Sequence, residues 1–375
     1  MRILQLVTKR QYRGAEVFAA NLSSELIKLG HSISFVGLYE NMDNILVVEN
    51  AENFDLSNKK TLPLSLSLIS SLAKLVRRTK PDLIQCNGSD TLKYTILATR
   101  NYSQIPIIYR NISTISEWMN NYFSRKFYHW LFKRVDFVTS VGEKSLEDLV
   151  LTFNYPKQQT AVIRRGIPMK SLNKQDAKLR LVEELDLHPK DKIVIHVGNF
   201  SPEKNHQFLL DIFHELKQQD TSIKLICVGD GQTFNQIKND IFEQKLEHTI
   251  FLMGFRKDIP QLLAGSECFI LCSLIEGVPG VIMEAAVQGV PAISSNVGGV
   301  SEVIENNKTG ILIEGFNKED YVRSVQKVIS DDSLRSNLAL NAYNQVLAKF
   351  DPVSNAKVVE ELYYSLLKKK KSFNE

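Results

Sequence analysis

The chain has 375 residues, more than one ordinary core needs and enough for two domains of about 100–200 residues each. With 43% hydrophobic and 23% charged residues it is an ordinary globular composition rather than a disordered or fibrous one, and no apolar run approaches the ~20 residues of a membrane span. A net charge of +4 accommodates an anionic ligand or a membrane surface without demanding nucleic acid, whose binders carry concentrated basic stripes.

"MRILQLVT" begins directly as a strand, with no long apolar leader and no cleavage-like site, so a cytoplasmic location is expected. Further strands are predicted at 32–39, 82–86, 105–109, 136–141 and 160–163, after the first at 3–8. Between the first two, Phe18, Leu22, Leu26 and Leu29 recur at helical spacing and Gly30 ends the helix. A polar, strand-free stretch, "MKSLNKQDAKLRLVEELDLHPKD", precedes a second series at 192–197, 223–229, 249–253, 268–272, 290–294 and 310–313. Continuous apolar strands alternating with helices imply parallel sheets covered on both faces. The expected architecture is two doubly wound, Rossmann-like α/β domains facing a central cleft, 1–168 and 169–352, followed by a helix over 353–371 that ends in "KKKK". Cys86, Cys227, Cys268 and Cys272 lack zinc spacing and read as buried, reduced thiols.

Three strand-to-helix junctions could carry chemistry. "KRQYRGAEVFAANL" has a single glycine, Gly14, where a dinucleotide binder would show three, so a dehydrogenase is poorly supported. Gly14 either brings a phosphate close to the backbone or serves a tight turn. "HVGNFSPEKNHQFLLD" places Lys204 at the start of a helix, where the dipole disfavours a cation. An anionic partner and a solvated surface lysine both explain it, and His206 reads as a helix-start residue rather than a metal ligand. "EGVPGVIMEAAVQGVPAI" puts Glu276 in a loop and Glu284 one turn inside the next helix, with Gly280 and Val281 at the helix tip. Free N–H groups there suit a phosphate, flanked by carboxylates for hydroxyls on each side. The alternative is that both glutamates are helix-start acids favoured by the dipole.

With these stretches in view, the chain resembles the family-4 retaining glycosyltransferases of the GT-B fold over nearly its whole length. "EGVPGVIMEAAVQGVPAISSNVGGVSEVIENNKTGILI" matches that family's E-x7-E region, "GNFSPEKNH" its basic segment and "GAE" its N-terminal glycine turn. The resemblance implies that Glu276 contacts the transferred sugar and Glu284 the ribose, and that the N–H groups of Gly280 and Val281 hold the distal phosphate. It further implies that Gly14 closes over that phosphate, Lys204 neutralises the leaving diphosphate, and the main chain at Phe255 and Arg256 reads the base. The last helix is expected to return to the N-terminal domain. The implied donor is a UDP-hexose or UDP-N-acetylhexosamine, and the setting is polysaccharide or glycoconjugate synthesis.

Two departures stand out. Asn199 occupies the position of the family's usual arginine, and "IIYRNIS" stands where a first-domain histidine is common, so Arg110 is expected to supply the missing charge. Asn87 and Asn111, at the tops of first-domain strands, are expected to shape the acceptor pocket. No Asp-x-Asp motif occurs in these stretches, so no metal or other cofactor is expected. The aromatic and basic run "SEWMNNYFSRKFYHWLFKRV" reads either as a peripheral membrane contact near a lipid-linked acceptor or as a helix packed on its sheet. A sugar-nucleotide 2-epimerase and a non-catalytic sugar-nucleotide binder remain the rival functions.

Overall fold

The apolar runs of the sequence become parallel strands in two separate sheets. The structure, a computed structural model, describes all residues except 43, 58–63, 117, 118, 120, 165 and 373–375, and gives only the backbone of 371 and 372. One unit comprises Met1–Gly166 with Phe350–Glu375, the other Ile167–Lys349.

The first unit runs β1 (Arg2–Lys9), α1 (Gly14–Lys28), β2 (Ser32–Tyr39), β3 (Glu52–Asp55), α2 (Leu66–Thr79), β4 (Leu83–Asn87), α3 (Ser89–Ala98), β5 (Ile107–Asn111), α4 (Tyr122–Phe132), β6 (Phe137–Ser140), α5 (Glu143–Phe153) and β7 (Thr160–Val162). The second runs α6 (Lys174–Glu184), β8 (Lys192–Val197), α7 (His206–Gln219), β9 (Ile223–Val228), α8 (Phe234–Glu243), β10 (Ile250–Leu252), α9 (Ile259–Ala264), β11 (Cys268–Leu271), α10 (Gly280–Val287), β12 (Ala292–Ser295), β13 (Gly310–Ile313), α11 (Lys318–Ser330) and α12 (Asp332–Lys349). A long α13 (Pro352–Ser372) follows.

Strand order is β3-β2-β1-β4-β5-β6-β7 in the first sheet and β10-β9-β8-β11-β12-β13 in the second. Each order reverses once, between β1 and β4 and between β8 and β11, which makes both sheets doubly wound. The near-continuous burial of β1 and β8 follows from helices lying on both faces. All four cysteines are buried free thiols.

On one face of the first sheet, Leu72, Leu92, Phe132 and Leu149 from α2 to α5 pack over Leu6, Ile84 and Val138. On the other, α1 and α13 share a core in which Phe18, Leu22 and Leu26 meet Ala356, Val359, Tyr363 and Leu366. Polar contacts fix the register of that last helix: His31 Nε2 lies 2.6 Å from Glu360 Oε1, Tyr363 donates to Gln85 Oε1 at 2.9 Å, and Lys370 Nζ lies 2.7 Å from Asp136 Oδ1. Gly166 sits where the chain leaves this unit, and a Cβ there would lie 2.4 Å from Cα of Pro352, so the two connecting segments cross too closely for any side chain.

Each predicted strand coincides with an observed one to within about two residues at either end. Among the described residues, the one strand the sequence did not reveal is β3, "ENFD", a half-buried edge strand with a single apolar residue.

Candidate active site

Open parallel sheets bind ligands beyond the carboxyl ends of the strands where the order reverses. In the second unit those strands are β8 and β11, adjacent through Phe269 and Ile195, and their ends lead into the two stretches singled out above. The N–H of Leu274 donates to the carbonyl of Glu203 at 2.8 Å, binding the loop after β11 to the turn after β8. That turn is a 3-10 turn, Pro202–Lys204, closed by Asn205 in a left-handed conformation, and α7 begins only at His206. Lys204 therefore stands two residues ahead of the helix rather than on it. Its Nζ lies 2.5 Å from Glu276 Oε1, and the Ser273 hydroxyl donates to the same oxygen at 2.6 Å. The Glu276 side chain is 8% exposed and that of Lys204 22%, so the two charges meet in a half-buried ion pair, with Ser273 as a further donor.

The Glu276 loop is held from the next strand. Ser295 donates to the carbonyl of Ser273 at 2.8 Å, and the N–H of Gly299 to that of Gly277 at 2.9 Å. Gly298 has φ +53°, and a Cβ there would lie 1.8 Å from the carbonyl oxygen of Glu276. Neither Ser273 nor Gly298 was recognised from sequence, although the Gly-Gly pair directly after a strand was a visible sign of close backbone approach. Beyond the loop, α10 begins at Gly280, and the N–H groups of Gly280 and Val281 precede its hydrogen-bond ladder, at the positive end of the helix dipole. Ile282, Met283, Ala285, Ala286 and Val287 are buried while Glu284 is half-buried, so the one carboxylate of α10 lies on its accessible side.

Neighbouring strand ends stack backbone on backbone. A Cβ on Gly229 would lie 1.9 Å from the Gly198 carbonyl oxygen, and the Gly229 N–H donates to the Gly254 carbonyl at 2.8 Å. Asn199 is half-buried in this stack and Phe255 is 39% exposed beside it. The Arg256 guanidinium is gripped by Asp258, at 2.6 Å, and by Glu184, which hold it more firmly protonated than usual. Its side chain is thus occupied by the two carboxylates.

Beneath Lys204, His196 is fully buried with Nδ1 3.0 Å from the Ile270 carbonyl oxygen. His206 meets it edge-on at 4.8 Å between ring centres and stacks on Phe200 at 3.9 Å. Burial, helped by Lys204, pushes the His196 pKa down to about 4, and burial with His196 and Lys204 pushes that of His206 to about 2. Unfolded histidine binds its proton near 6.5, so the unfolded chain holds more protons below that pH. Stability should be full above pH 6.5 and fall as the pH drops from 6.5 toward 4. Melting temperatures across that range check this, and His206→Phe should flatten the slope.

In the first unit, Gly14 is the exposed first residue of α1, and a Cβ there would meet nothing within 4 Å. Arg110 does not reach outward as expected. It is 2% exposed, its guanidinium lies 3.4 Å over the Phe18 ring and donates to the Ile163 carbonyl at 3.2 Å, so it packs under α1 rather than offering charge to a ligand. Asn87 and Asn111 also turn inward. Asn87 is 4% exposed and donates to Gln5 Oε1 and the Leu6 carbonyl, while Asn111 is 1% exposed and donates to the Ser145 carbonyl. They tie strands and helices together instead of lining an acceptor pocket. Among the described residues no cluster of three or more His, Cys, Asp or Glu side chains could hold a metal ion, and no helix is long and apolar enough to cross a membrane.

The family described as glycosyl transferases group 1 matches residues 178–345, and glycosyltransferase family 4 matches residues 12–170. The chain is 25% identical over 331 residues, 82% of its length and 83% of the relative's, to the UDP-Gal:alpha-D-GlcNAc-diphosphoundecaprenol alpha-1,3-galactosyltransferase of Escherichia coli. It is also 25% identical to the N-acetyl-alpha-D-glucosaminyl L-malate synthase of Bacillus anthracis, over 96% of both chains. Its fold is similar to the crystal structure of the Anabaena protein HepE in complex with UDP and glucose, with a TM-score of 0.83 at 20% identity, covering 97% of this chain and all of that one.

Proposed function

The chain belongs to the family-4 glycosyltransferases of the GT-B fold, and from that premise we propose that it moves a sugar from a nucleoside-diphosphate sugar to an acceptor hydroxyl with retention of anomeric configuration. The donor is a UDP-hexose or UDP-N-acetylhexosamine, and the product is a cell-surface polysaccharide or glycoconjugate. The E. coli relative is named for UDP-Gal as donor, which favours a uridine nucleotide here. The observation that carries the reading is the Lys204–Glu276 pair at the β8/β11 switch point, beside the open tip of α10.

In this reading the distal phosphate takes the N–H groups of Gly280 and Val281, and Lys204 leaves Glu276 for the diphosphate. Glu276, still held by Ser273, turns to the sugar hydroxyls, and Glu284 takes the ribose. As the glycosidic bond breaks, negative charge grows on the departing phosphate oxygen. Preorganised donors at a helix tip and an ammonium group stabilise that charge at the moment it develops. The acceptor hydroxyl attacks from the face the diphosphate leaves, and its proton passes to a diphosphate oxygen. No metal takes part, so a chelator should leave turnover unchanged; loss with EDTA and recovery with magnesium or manganese would contradict this.

Mass analysis of reactions with UDP-sugars, alone and with lipid-linked saccharide acceptors, tests the proposal. A transfer product supports it. An epimerised donor, or no change with any acceptor, overturns it.

Helix α4 supports a membrane surface as the setting of the acceptor. Of its eleven residues only Leu131 and Phe132 are buried, while Tyr122, Phe123, Phe127 and Trp130 are exposed among Arg125 and Lys126. Residues 117, 118 and 120 of the same run lie outside the described residues. Aromatic rings interleaved with cations suit the interface of an anionic bilayer. The E. coli relative is named for a diphosphoundecaprenol-linked acceptor, which fits that location. The protein should sediment with anionic vesicles at low salt and be released at high salt; no pelleting at low salt would end this part of the reading.

A further inference from the structure

We propose that His196 and His206 form a buried proton-receiving pair beneath the Lys204–Glu276 ion pair, and that a nucleotide sugar bound at that ion pair draws a proton from solvent onto the two rings. The inference rests on the donor site proposed above and deepens it.

Three ring nitrogens, Nε2 of His196 and both of His206, have no hydrogen-bond partner among the described residues, although the two side chains are 0% and 3% exposed. Unmatched polar atoms are uncommon in protein interiors and call for an explanation. A phenylalanine or leucine would fill the same space against Phe200 and Phe269 without them. The geometry shows what the rings can accept. His196 gives its Nδ1 hydrogen to the Ile270 carbonyl at 3.0 Å, which leaves the basic lone pair on Nε2. That nitrogen faces the loop after β8, since a Cβ on Gly198 would lie 3.1 Å from Nε2 and 3.7 Å from Cδ of Lys204. The second imidazole adjoins edge-on at 4.8 Å between ring centres, and its two nitrogens are further unmatched positions at which a proton can be taken up.

The groups around the pair set its response. Lys204 approaches from the 3-10 turn, Glu276 from the loop after β11 through Lys204, and Phe200, Phe269 and the Ile270 carbonyl complete the surroundings. The Lys204 charge opposes protonation of both rings. Coupling between two sites is reciprocal, so an anion that offsets Lys204 must favour the proton as the proton favours the anion. The ion pair alone brings no net charge to a diphosphate, because Glu276 cancels Lys204. An imidazolium behind Lys204 would supply that charge. The step balances simply: a buffer acid gives up its proton, an N–H forms on Nε2 of His196 or on a ring nitrogen of His206, and no bond in the donor is touched.

Calorimetric titration with UDP-glucose, in two buffers of different ionisation enthalpy from pH 5.5 to 8, counts the protons exchanged. A nucleotide sugar is the right probe because its diphosphate, esterified at both ends, does not titrate in that range. Net uptake is expected near pH 5.5–6.5, vanishing toward pH 8, with affinity rising as pH falls by up to about tenfold per unit where a whole proton is taken. His196→Asn, which keeps a donor for Ile270, should lose the uptake and flatten the pH dependence. His206→Phe is the second variant should the first fail to fold. Binding without proton exchange in the wild type, or uptake that survives in both variants, overturns the inference while leaving the donor site intact. Absence of binding of both UDP-glucose and a UDP-N-acetylhexosamine at every pH, by calorimetry and by melting-temperature shift, removes the donor-site reading and this inference with it.

Discussion

Replacing Lys204 by methionine should lower sugar transfer by about two to three orders of magnitude in turnover, the loss seen when a single preorganised donor is taken from a developing oxyanion. The ammonium group lies 2.5 Å from Glu276 on a side chain only 22% exposed, so water does not readily stand in for it. Methionine keeps most of the apolar stem and removes the charge. The Glu276 carboxylate would retain the Ser273 hydroxyl at 2.6 Å, which should keep the loop folded and let turnover be read on a native protein. Substrate affinity should change less than turnover, since the charge Lys204 meets is greatest as the bond breaks. A fall of less than about tenfold in turnover would mean that the departing charge is stabilised elsewhere.

The second large effect belongs to a residue with no side chain. Gly298→Ala should both unfold and inactivate the second unit more easily. The backbone there has φ +53°, which side-chain-bearing residues rarely adopt, and the added Cβ would lie 1.8 Å from the Glu276 carbonyl oxygen. That oxygen is main chain and cannot rotate away, so the loop carrying Glu276 must move. Strain and overpacking together should cost about 2–4 kcal/mol, a fall of roughly 5–15 °C in melting temperature for a unit of this size. Gly14→Ala is the control. A Cβ at Gly14 meets nothing within 4 Å, and alanine at this exposed helix start should leave the melting temperature unchanged or slightly raised. Equal behaviour of the two variants would show that Gly298 does not seat the Glu276 loop.

The contrast between these two glycines is also where sequence reading stops. Both lie a few residues past a strand, Gly14 opening α1 and Gly298 just ahead of a 3-10 turn, and nothing local tells a glycine with open space from one pressed on another loop. Strands such as "KIVIHV" were legible because burial on both faces makes a run largely apolar, whereas β3 was not, because on this edge strand only the partly buried Phe54 packs against the core. Glu276, Glu284 and Lys204 could be named from spacing and resemblance. That Lys204 and Glu276 touch could not, since 72 residues separate them and the contact depends on β8 lying beside β11. Arg110, Asn87 and Asn111 were misplaced for the opposite reason. A polar residue at a strand end reads as facing a ligand, yet Phe18, Gln5, the carbonyls of Leu6 and Ile163, and Ser145 of α5 take these side chains into the fold. His196 carries no signal in the sequence, because an unmatched ring nitrogen becomes visible only once its neighbours are known.

Soaking crystals with UDP-glucose and a UDP-N-acetylhexosamine is the measurement that bears most directly on these assignments. Diphosphate density against the N–H groups of Gly280 and Val281, with Lys204 swung from Glu276 onto it, Glu276 at the sugar and Glu284 at the ribose, is the result expected. Density away from the carboxyl ends of β8 and β11, or a bound donor with Lys204 and Glu276 still paired, would contradict them.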